Sequence, residues 1–175
     1  MAYLRELNRL ADQVDAPGAR GGADATRDCF LSAYWASPDD DHANHVVYRN
    51  DHGMLLLNRY PYANGHLLAA LGEARPTLLD YEEAQRAQFW KLVDLGVDLV
   101  RRALAPQGIN IGVNEGSAAG AGVPDHLHAH LVPRWAGDTN FMTVVAQVRV
   151  MPDSLEAMAE HYRQTLAGRG SGTRD

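Results

Sequence analysis

Apolar positions along this chain change period several times, and each change marks an element. Leu4, Leu7, Leu10 and Val14 recur at three-to-four spacing and predict a short helix over 2–14. The Gly- and Pro-containing run over 16–26 predicts a flexible loop, and Cys29-Phe30-Leu31-Ser32 resumes an apolar segment. Residues 46–48 and 54–57 are apolar runs separated by Asn50-Asp51-His52-Gly53, the composition of a hairpin turn. Another strand is predicted over 67–71. The longest helical period starts at Asp80-Tyr81-Glu82-Glu83, read as a capping box, and runs to Ala105. Its inward stripe is Phe89, Leu92, Val93, Gly96, Val100 and Ala103, with Phe89 and Trp90 read as a core pair. Glycine inside a helix costs about 1 kcal/mol relative to alanine, so Gly96 is expected where the helix packs closely on a sheet. Strict alternation over 109–114 predicts a half-buried strand, 144–150 another strand, and Asp153-Ser154-Leu155-Glu156 the cap of a last helix ending near Gly168. Residues 169–175 are expected to be a disordered tail.

One alternating stretch differs in kind: Asp125-His126-Leu127-His128-Ala129-His130-Leu131. Successive side chains of a strand point to opposite faces, so His126, His128 and His130 share one face and Leu127, Ala129 and Leu131 the other. The apolar face has a core to meet, and the histidine face is left for chemistry. A metal site and a purely structural role are the alternatives. Asp125 is the only accompanying carboxylate in the stretch, and alternation sends it to the opposite face. The preceding segment, Glu115-Gly116-Ser117-Ala118-Ala119-Gly120-Ala121-Gly122-Val123-Pro124, is rich in small residues, which allow a ligand close to backbone N–H groups. A second polar loop, Asn58-Arg59-Tyr60-Pro61-Tyr62-Ala63-Asn64-Gly65-His66, follows the predicted hairpin. Loops of this composition often bind ligands, although Tyr60 and Tyr62 are equally readable as rings packed on the sheet.

Composition narrows the class. The chain has 175 residues, enough for one domain with a sizeable core. Its charged, amphipathic start and lack of a long apolar run lead us to expect a cytoplasmic protein that neither crosses nor binds a membrane. A single cysteine, Cys29, rules out a disulfide within the chain and suits a reducing compartment. A net charge of −6 without a basic run argues against nucleic acid as a partner but permits a small polyphosphate held by backbone amides. Serine at the second position of Cys29-x-x-Ser32 argues against a four-ligand zinc site, so neither metal nor cofactor is expected, and Cys29 is read as a small buried apolar residue.

Across residues 29 to 152 these motifs resemble the histidine triad family of nucleotide hydrolases and transferases. The triad with Pro133-Arg134, the loop from Asn114-Glu115-Gly116 to Gly120, and Asn58-Arg59-Tyr60-Pro61 with Gly65-His66 carry the resemblance. The run 135–141 is similar to a bacterial branch often described as diadenosine tetraphosphate phosphorylases. The resemblance implies a HIT-like α+β fold: an antiparallel sheet of about five strands with one long helix and a C-terminal helix. It divides the chain into an N-terminal helix and loop (1–28), the domain (29–152), and a C-terminal helix and tail (153–175). It implies a homodimer joined through long helices and sheet edges.

Its implied chemistry is nucleotidyl transfer from a dinucleoside polyphosphate through a nucleotidyl-histidine. His128 is then the nucleophile, His126 helps hold it, His130 contacts the phosphate or leaving group, and His66 completes the polar cluster. The backbone of Gly120, Ala121, Gly122 and Val123 binds nonbridging oxygens, Asn58 reaches the ribose, and Asn114 reaches the phosphate or its loop. The glycine loop carries no glutamine where the hydrolase branch has one, which makes inorganic phosphate the expected acceptor. Hydrolysis of dinucleoside polyphosphates or nucleoside phosphoramidates, and nucleotide binding with little turnover, are the alternatives.

Overall fold

The computed structural model describes residues 29–138 and 153–168. The predicted helix over 2–14, loop over 16–26, strand over 144–150 and tail over 169–175 lie outside these residues. Helix α1 (Phe30–Ala36) is followed by strands β1 (Val46–Arg49), β2 (Gly53–Leu57) and β3 (Leu67–Leu71), the long helix α2 (Glu83–Leu104), strands β4 (Gly108–Val113) and β5 (His128–Arg134), and helix α3 (Leu155–Ala167). The strands form one antiparallel sheet in the order β1-β2-β3-β5-β4, which gives the expected α+β fold. Among the described residues no helix is long and apolar enough to cross a membrane.

The hairpin turns as its composition predicts. The Asn50 side-chain oxygen accepts from the amides of His52 and Gly53, each at 2.9 Å, and so satisfies the donors that the tight turn exposes. In β2 and β3 every residue is buried, because both faces of these central strands are covered. On one face Leu55, Leu57, Leu67, Ala69, Leu71, Leu127, Ala129 and Leu131 pack with residues of α2 and α3. On the other, Met54, Leu56, Leu68 and Ala70 meet Cys29 and Leu31 of the α1 segment. The histidine face therefore carries a second, smaller core. The sequence reading missed α1, although Leu31, Tyr34 and Trp35 sit at helical spacing.

Several details depart from the periodic reading. Asp80 does not open the long helix; it closes a capping box with Thr77 around the 3-10 turn Leu78–Asp80. The α2 box begins at Glu82, whose amide donates to Gln85 Oε1 at 2.9 Å. Phe89 is fully buried in the main core, while Trp90, about 100° further round the helix, is 43% exposed and meets Phe89 edge-on with ring centroids 5.4 Å apart. Leu99 joins the inward stripe, and Ala103 is only partly covered. Strand β4 is more exposed than expected, with Ile111 at 50%; among the described residues it lies at the sheet edge and pairs with β5 alone. Gly96 does mark close packing: a Cβ there runs into Leu131 Cδ1 and lies 3.2 Å from Leu55 Cδ2.

Helix α3 begins as predicted, with Ser154 Oγ accepting from the Ala157 amide at 3.2 Å. It buttresses the loop between β2 and β3. The buried Tyr162 hydroxyl donates to the Gly65 carbonyl at 2.7 Å, and the Asn64 side chain donates to Asp153 Oδ2 at 2.9 Å. Gly65 has φ +77°, and a Cβ there runs into Leu104 and lies 2.6 Å from the Tyr162 oxygen. Gly65→Ala is therefore expected to destabilise the protein by about 1–3 kcal/mol, combining a left-handed backbone with overpacking. Urea unfolding measures this, and an unchanged midpoint contradicts the packing described.

Candidate active site

The central strands bring the chemistry together. Ala70 of β3 pairs with His128, and Leu68 with His130; on the other side Gly112 of β4 pairs with His130. The small neighbours Ala70 and Gly112 leave room on the face where the imidazoles stand. His66 enters from the loop before β3 with its ring centroid 5.2 Å from that of His130, which is 4.9 Å from that of His128.

Hydrogen-bond partners assign the tautomers. His128 Nδ1 lies 2.8 Å from the backbone carbonyl of His126. A carbonyl only accepts, so Nδ1 carries the proton and Nε2 keeps its lone pair. His128 is 4% exposed, and burial holds its pKa below the usual value; its bond to His126 opposes that shift without reversing it. A neutral imidazole with a bare Nε2 is the form that acts as a nucleophile. His66 Nδ1 receives the Tyr62 amide at 3.1 Å and faces Asn58 Nδ2 at 3.3 Å. Its proton therefore sits on Nε2, which donates to His130 Nδ1 at 3.0 Å. Neutral His130 in turn carries its own proton on Nε2. Burial, followed by the neighbouring His128, pushes the His130 pKa down to about 4.

His126 stands apart from these rings. Strand β5 begins at His128, and His126 occupies the turn before it with a fully buried ring. Its Nε2 donates to the Leu71 carbonyl at 2.7 Å, while Nδ1 faces Cys29 Sγ at 3.4 Å and Ser32 Oγ at 3.3 Å. The ring keeps the histidine side of the sheet, where the Cys29–Ser32 segment packs, while Leu127 enters the core on the opposite side. Cys29 is buried as expected, but it also touches the triad. From the sequence this pair reads as an incomplete metal motif and Cys29 as a small buried residue; the spacing of three across the start of α1 is the signal that both face one ring. A thiol, a hydroxyl and one imidazole nitrogen do not make the all-nitrogen-and-sulfur set of a structural zinc site. Among the described residues no group of three or more His, Cys, Asp or Glu is placed to hold a metal ion.

The remaining predicted residues occupy the surrounding loops. Asn58 Oδ1 accepts from the Tyr60 amide at 3.0 Å while its Nδ2 faces His66, so this residue shapes the loop as well as lining the site. Tyr62 is 52% exposed and lies over the imidazoles, with its ring 4.8 Å from His66 and 5.8 Å from His130, rather than packing on the apolar sheet. Tyr60 is exposed. In the glycine loop Asn114 Nδ2 donates to the Gly120 carbonyl at 3.4 Å. The amides of Gly120 and Ala121 donate within the loop, to the carbonyls of Ser117 at 3.0 Å and Gly116 at 3.2 Å. Gly120 has φ +89° and Val123 packs partly against the smaller core. A separate cavity of about 340 Å³, lined by Trp35, Asp51, His52, Gly72 and Gln85 among others, contains none of the four histidines.

Residues 40–137 match the family model described as the HIT domain. A protein of Mycobacterium tuberculosis described as AP-4-A phosphorylase is 34% identical over 110 residues, covering 63% of this chain and 56% of its own length. The bis(5'-nucleosyl)-tetraphosphatase (asymmetrical) of Schizosaccharomyces pombe is 29% identical over 93 residues, covering 53% of this chain and 50% of the relative. The chain thus spans little more than half the length of these relatives. Among solved structures, a Zn-bound histidine triad family protein from Mycobacterium smegmatis superimposes with a TM-score of 0.63 at 26% identity, over 83% of this chain and 98% of that one.

Burial of three neutral imidazoles links stability to pH. His126, His128 and His130 all have pKa values lowered from 6.5 by burial. Below that value the unfolded chain binds protons that the folded chain refuses, so stability must fall as pH falls through the window. For His130 the fall ends near its folded value of about 4. Urea midpoints between about pH 7 and about pH 4.5 are expected to decrease steadily, and His130→Asn to reduce the slope. A flat wild-type profile contradicts the neutral cluster.

Proposed function

This chain belongs to the HIT domain family, and on that premise we propose that it is an enzyme transferring a nucleotidyl group from a dinucleoside polyphosphate through a covalent histidine intermediate. The observation that carries the reading is the His128 tautomer: Nδ1–H bound to the His126 carbonyl and Nε2 bare. In the first step the Nε2 lone pair forms a bond to the α-phosphorus, and the bond from that phosphorus to the bridging oxygen breaks. The leaving polyphosphate takes the bonding electrons, and the His130 Nε2–H, set by the His66 bond, faces the charge that develops on it. His128 becomes a phosphorylated imidazolium, whose positive charge is shared by an Nδ1–H already held by a carbonyl oxygen. In the second step an acceptor oxygen attacks the same phosphorus and the nitrogen–phosphorus bond breaks, restoring His128.

The glycine loop supplies donors to the nonbridging oxygens. The amides of Gly120 and Ala121 donate within the loop, so those of Gly122 and Val123 meet the phosphate first in this reading. Asn58, beside His66 and part-buried, contacts the ribose, and Asn114 holds the loop through Gly120. Inorganic phosphate is the proposed acceptor, supported by the likeness to a relative described as AP-4-A phosphorylase and by the glutamine-free glycine loop. The half-exposed edge strand β4, with Ile111 on its surface, is the proposed seam of a homodimer, and the cytoplasm the proposed compartment. No metal or other cofactor takes part in this scheme.

His128→Ala is expected to lower kcat on diadenosine tetraphosphate by at least about a thousandfold while leaving the unfolding midpoint nearly unchanged. Near-normal turnover removes the covalent route. Product analysis with and without inorganic phosphate tests the acceptor: ATP with ADP formed only when phosphate is present supports phosphorolysis, whereas AMP with ATP formed regardless assigns hydrolysis.

A further inference from the structure

We infer that Cys29 and Ser32 are positioning residues for the nucleophile, acting through His126 as a metal-free thiol–hydroxyl clamp; this rests on the reading of His128 given above. The chain of contacts begins at α1 and ends at the reactive nitrogen. His126 has no exposed surface, and its Nε2 must carry a proton because the Leu71 carbonyl, 2.7 Å away, can only accept. In the neutral ring Nδ1 is then a lone pair placed away from solvent. A buried acceptor without a donor costs about 1–3 kcal/mol, and the donors offered to this one are the Cys29 thiol and the Ser32 hydroxyl. Both ring nitrogens are thereby pinned.

Pinning the ring pins the residue, and the residue carries the carbonyl that accepts from His128 Nδ1 at 2.8 Å. The clamp is itself held firmly. Arg49 donates to the carbonyls of Tyr34 at 2.8 Å and Trp35 at 3.0 Å, at the end of α1, and makes a two-bond contact with Asp41 at 2.8 and 2.5 Å. The fully buried Leu31 sits between Cys29 and Ser32 in sequence and anchors α1 to the smaller core.

Without both donors the buried His126 Nδ1 lone pair has nothing to accept from, while the Leu71 carbonyl still keeps the proton on Nε2; the ring tilts to relieve the unpaired nitrogen and moves the backbone of His126. His128 loses the acceptor that kept its proton on Nδ1, and a fraction of molecules carries the proton on Nε2, where it blocks attack. Asn58 and the Asn114–Gly120 contact lie away from this change, and within the glycine loop Val123, whose carbonyl accepts from the His126 amide at 3.3 Å, is joined to it. The loss therefore falls more on kcat than on KM, by about ten- to a hundredfold, the range seen when the partner that orients a metal-bound histidine is removed.

The test is the Cys29→Ala/Ser32→Ala variant, read in two ways. Nitrogen-15 NMR of the histidine side chains in the substrate-free protein reports the tautomers of His126 and His128. Steady-state kinetics on diadenosine tetraphosphate reports kcat and KM. We expect mixed tautomers at His128 with His126 still protonated on Nε2, the stated fall in kcat and a KM that changes far less than kcat. In the Ser32→Ala background, Cys29→Ser, which restores a donor, is expected to turn over faster than Cys29→Ala. Should the double alanine variant fail to fold, Cys29→Val/Ser32→Ala refills the thiol volume and is read instead. A wild-type His128 tautomer in the variant, kcat within about twofold of wild type, or stoichiometric zinc on Cys29 in the purified protein each overturns the clamp. If the wild-type protein proves inactive, the NMR result still decides the clamp, so its failure is distinguishable from failure of the proposed reaction.

Discussion

The hydrogen bond from His128 Nδ1 to the carbonyl of residue 126 is the constraint around which this site is arranged. Imidazole offers two nitrogens of similar basicity, and only an external partner decides which keeps its lone pair. A side-chain acceptor could rotate away or titrate; a peptide carbonyl two residues back in the same strand entry does neither. Every other feature of the site either fixes that carbonyl or exploits the nitrogen it leaves bare. The fold contributes by holding the strand entry between β3 and α1, so that the backbone presenting the carbonyl is buried on both sides.

Burial of this kind has an electrostatic cost that the structure turns to use. Three imidazoles lie close together, and charging any one of them in that environment is unfavourable, through desolvation first and mutual repulsion second for His130. The cluster stays neutral, and no carboxylate among the described residues shifts these three groups. Neutral rings suit the acidic ligand proposed for this acidic protein: they supply a lone pair and N–H donors whose directions are set by the protein, and they need no field of lysines. Stability is sacrificed at low pH, where the unfolded chain takes up protons that the folded one excludes.

Much of this was legible in the residues, and the failures share a cause. Alternation located β5 and set His126, His128 and His130 opposite Leu127, Ala129 and Leu131; turn chemistry located the hairpin; three-to-four spacing located α2, and the Asp153-Ser154 cap located α3. The position of Gly96 in the helix pointed correctly to a close approach to Leu131. Periodicity describes an element in isolation, however. It could not show that the regular strand begins only at His128, where the preceding Leu127 amide donates to the Arg75 carbonyl at 2.8 Å, 52 residues earlier in the chain. Nor could it show that Cys29 and Ser32 converge on one ring nitrogen, a contact that spans more than ninety residues. The exposure of β4 was missed for a related reason: alternation announces a strand but not whether a second strand lies beyond it.

The direction of the His66–His130 contact adds a last constraint on mechanism. Because a main-chain amide donates into His66 Nδ1, that ring has only one way to bear its proton, and the bond to His130 is polarised toward the triad. His130 is then an acceptor on its inner nitrogen and a donor on its outer one. The two neighbouring histidines of β5 therefore end with opposite roles at Nε2: a bare lone pair on His128 and a proton on His130. Both assignments originate in backbone groups, the carbonyl of residue 126 and the amide of residue 62. A reaction that forms a bond to phosphorus on one side while negative charge grows on the departing oxygen requires that asymmetry. Alternating histidines alone do not provide it; the peptide groups at either end of the cluster do.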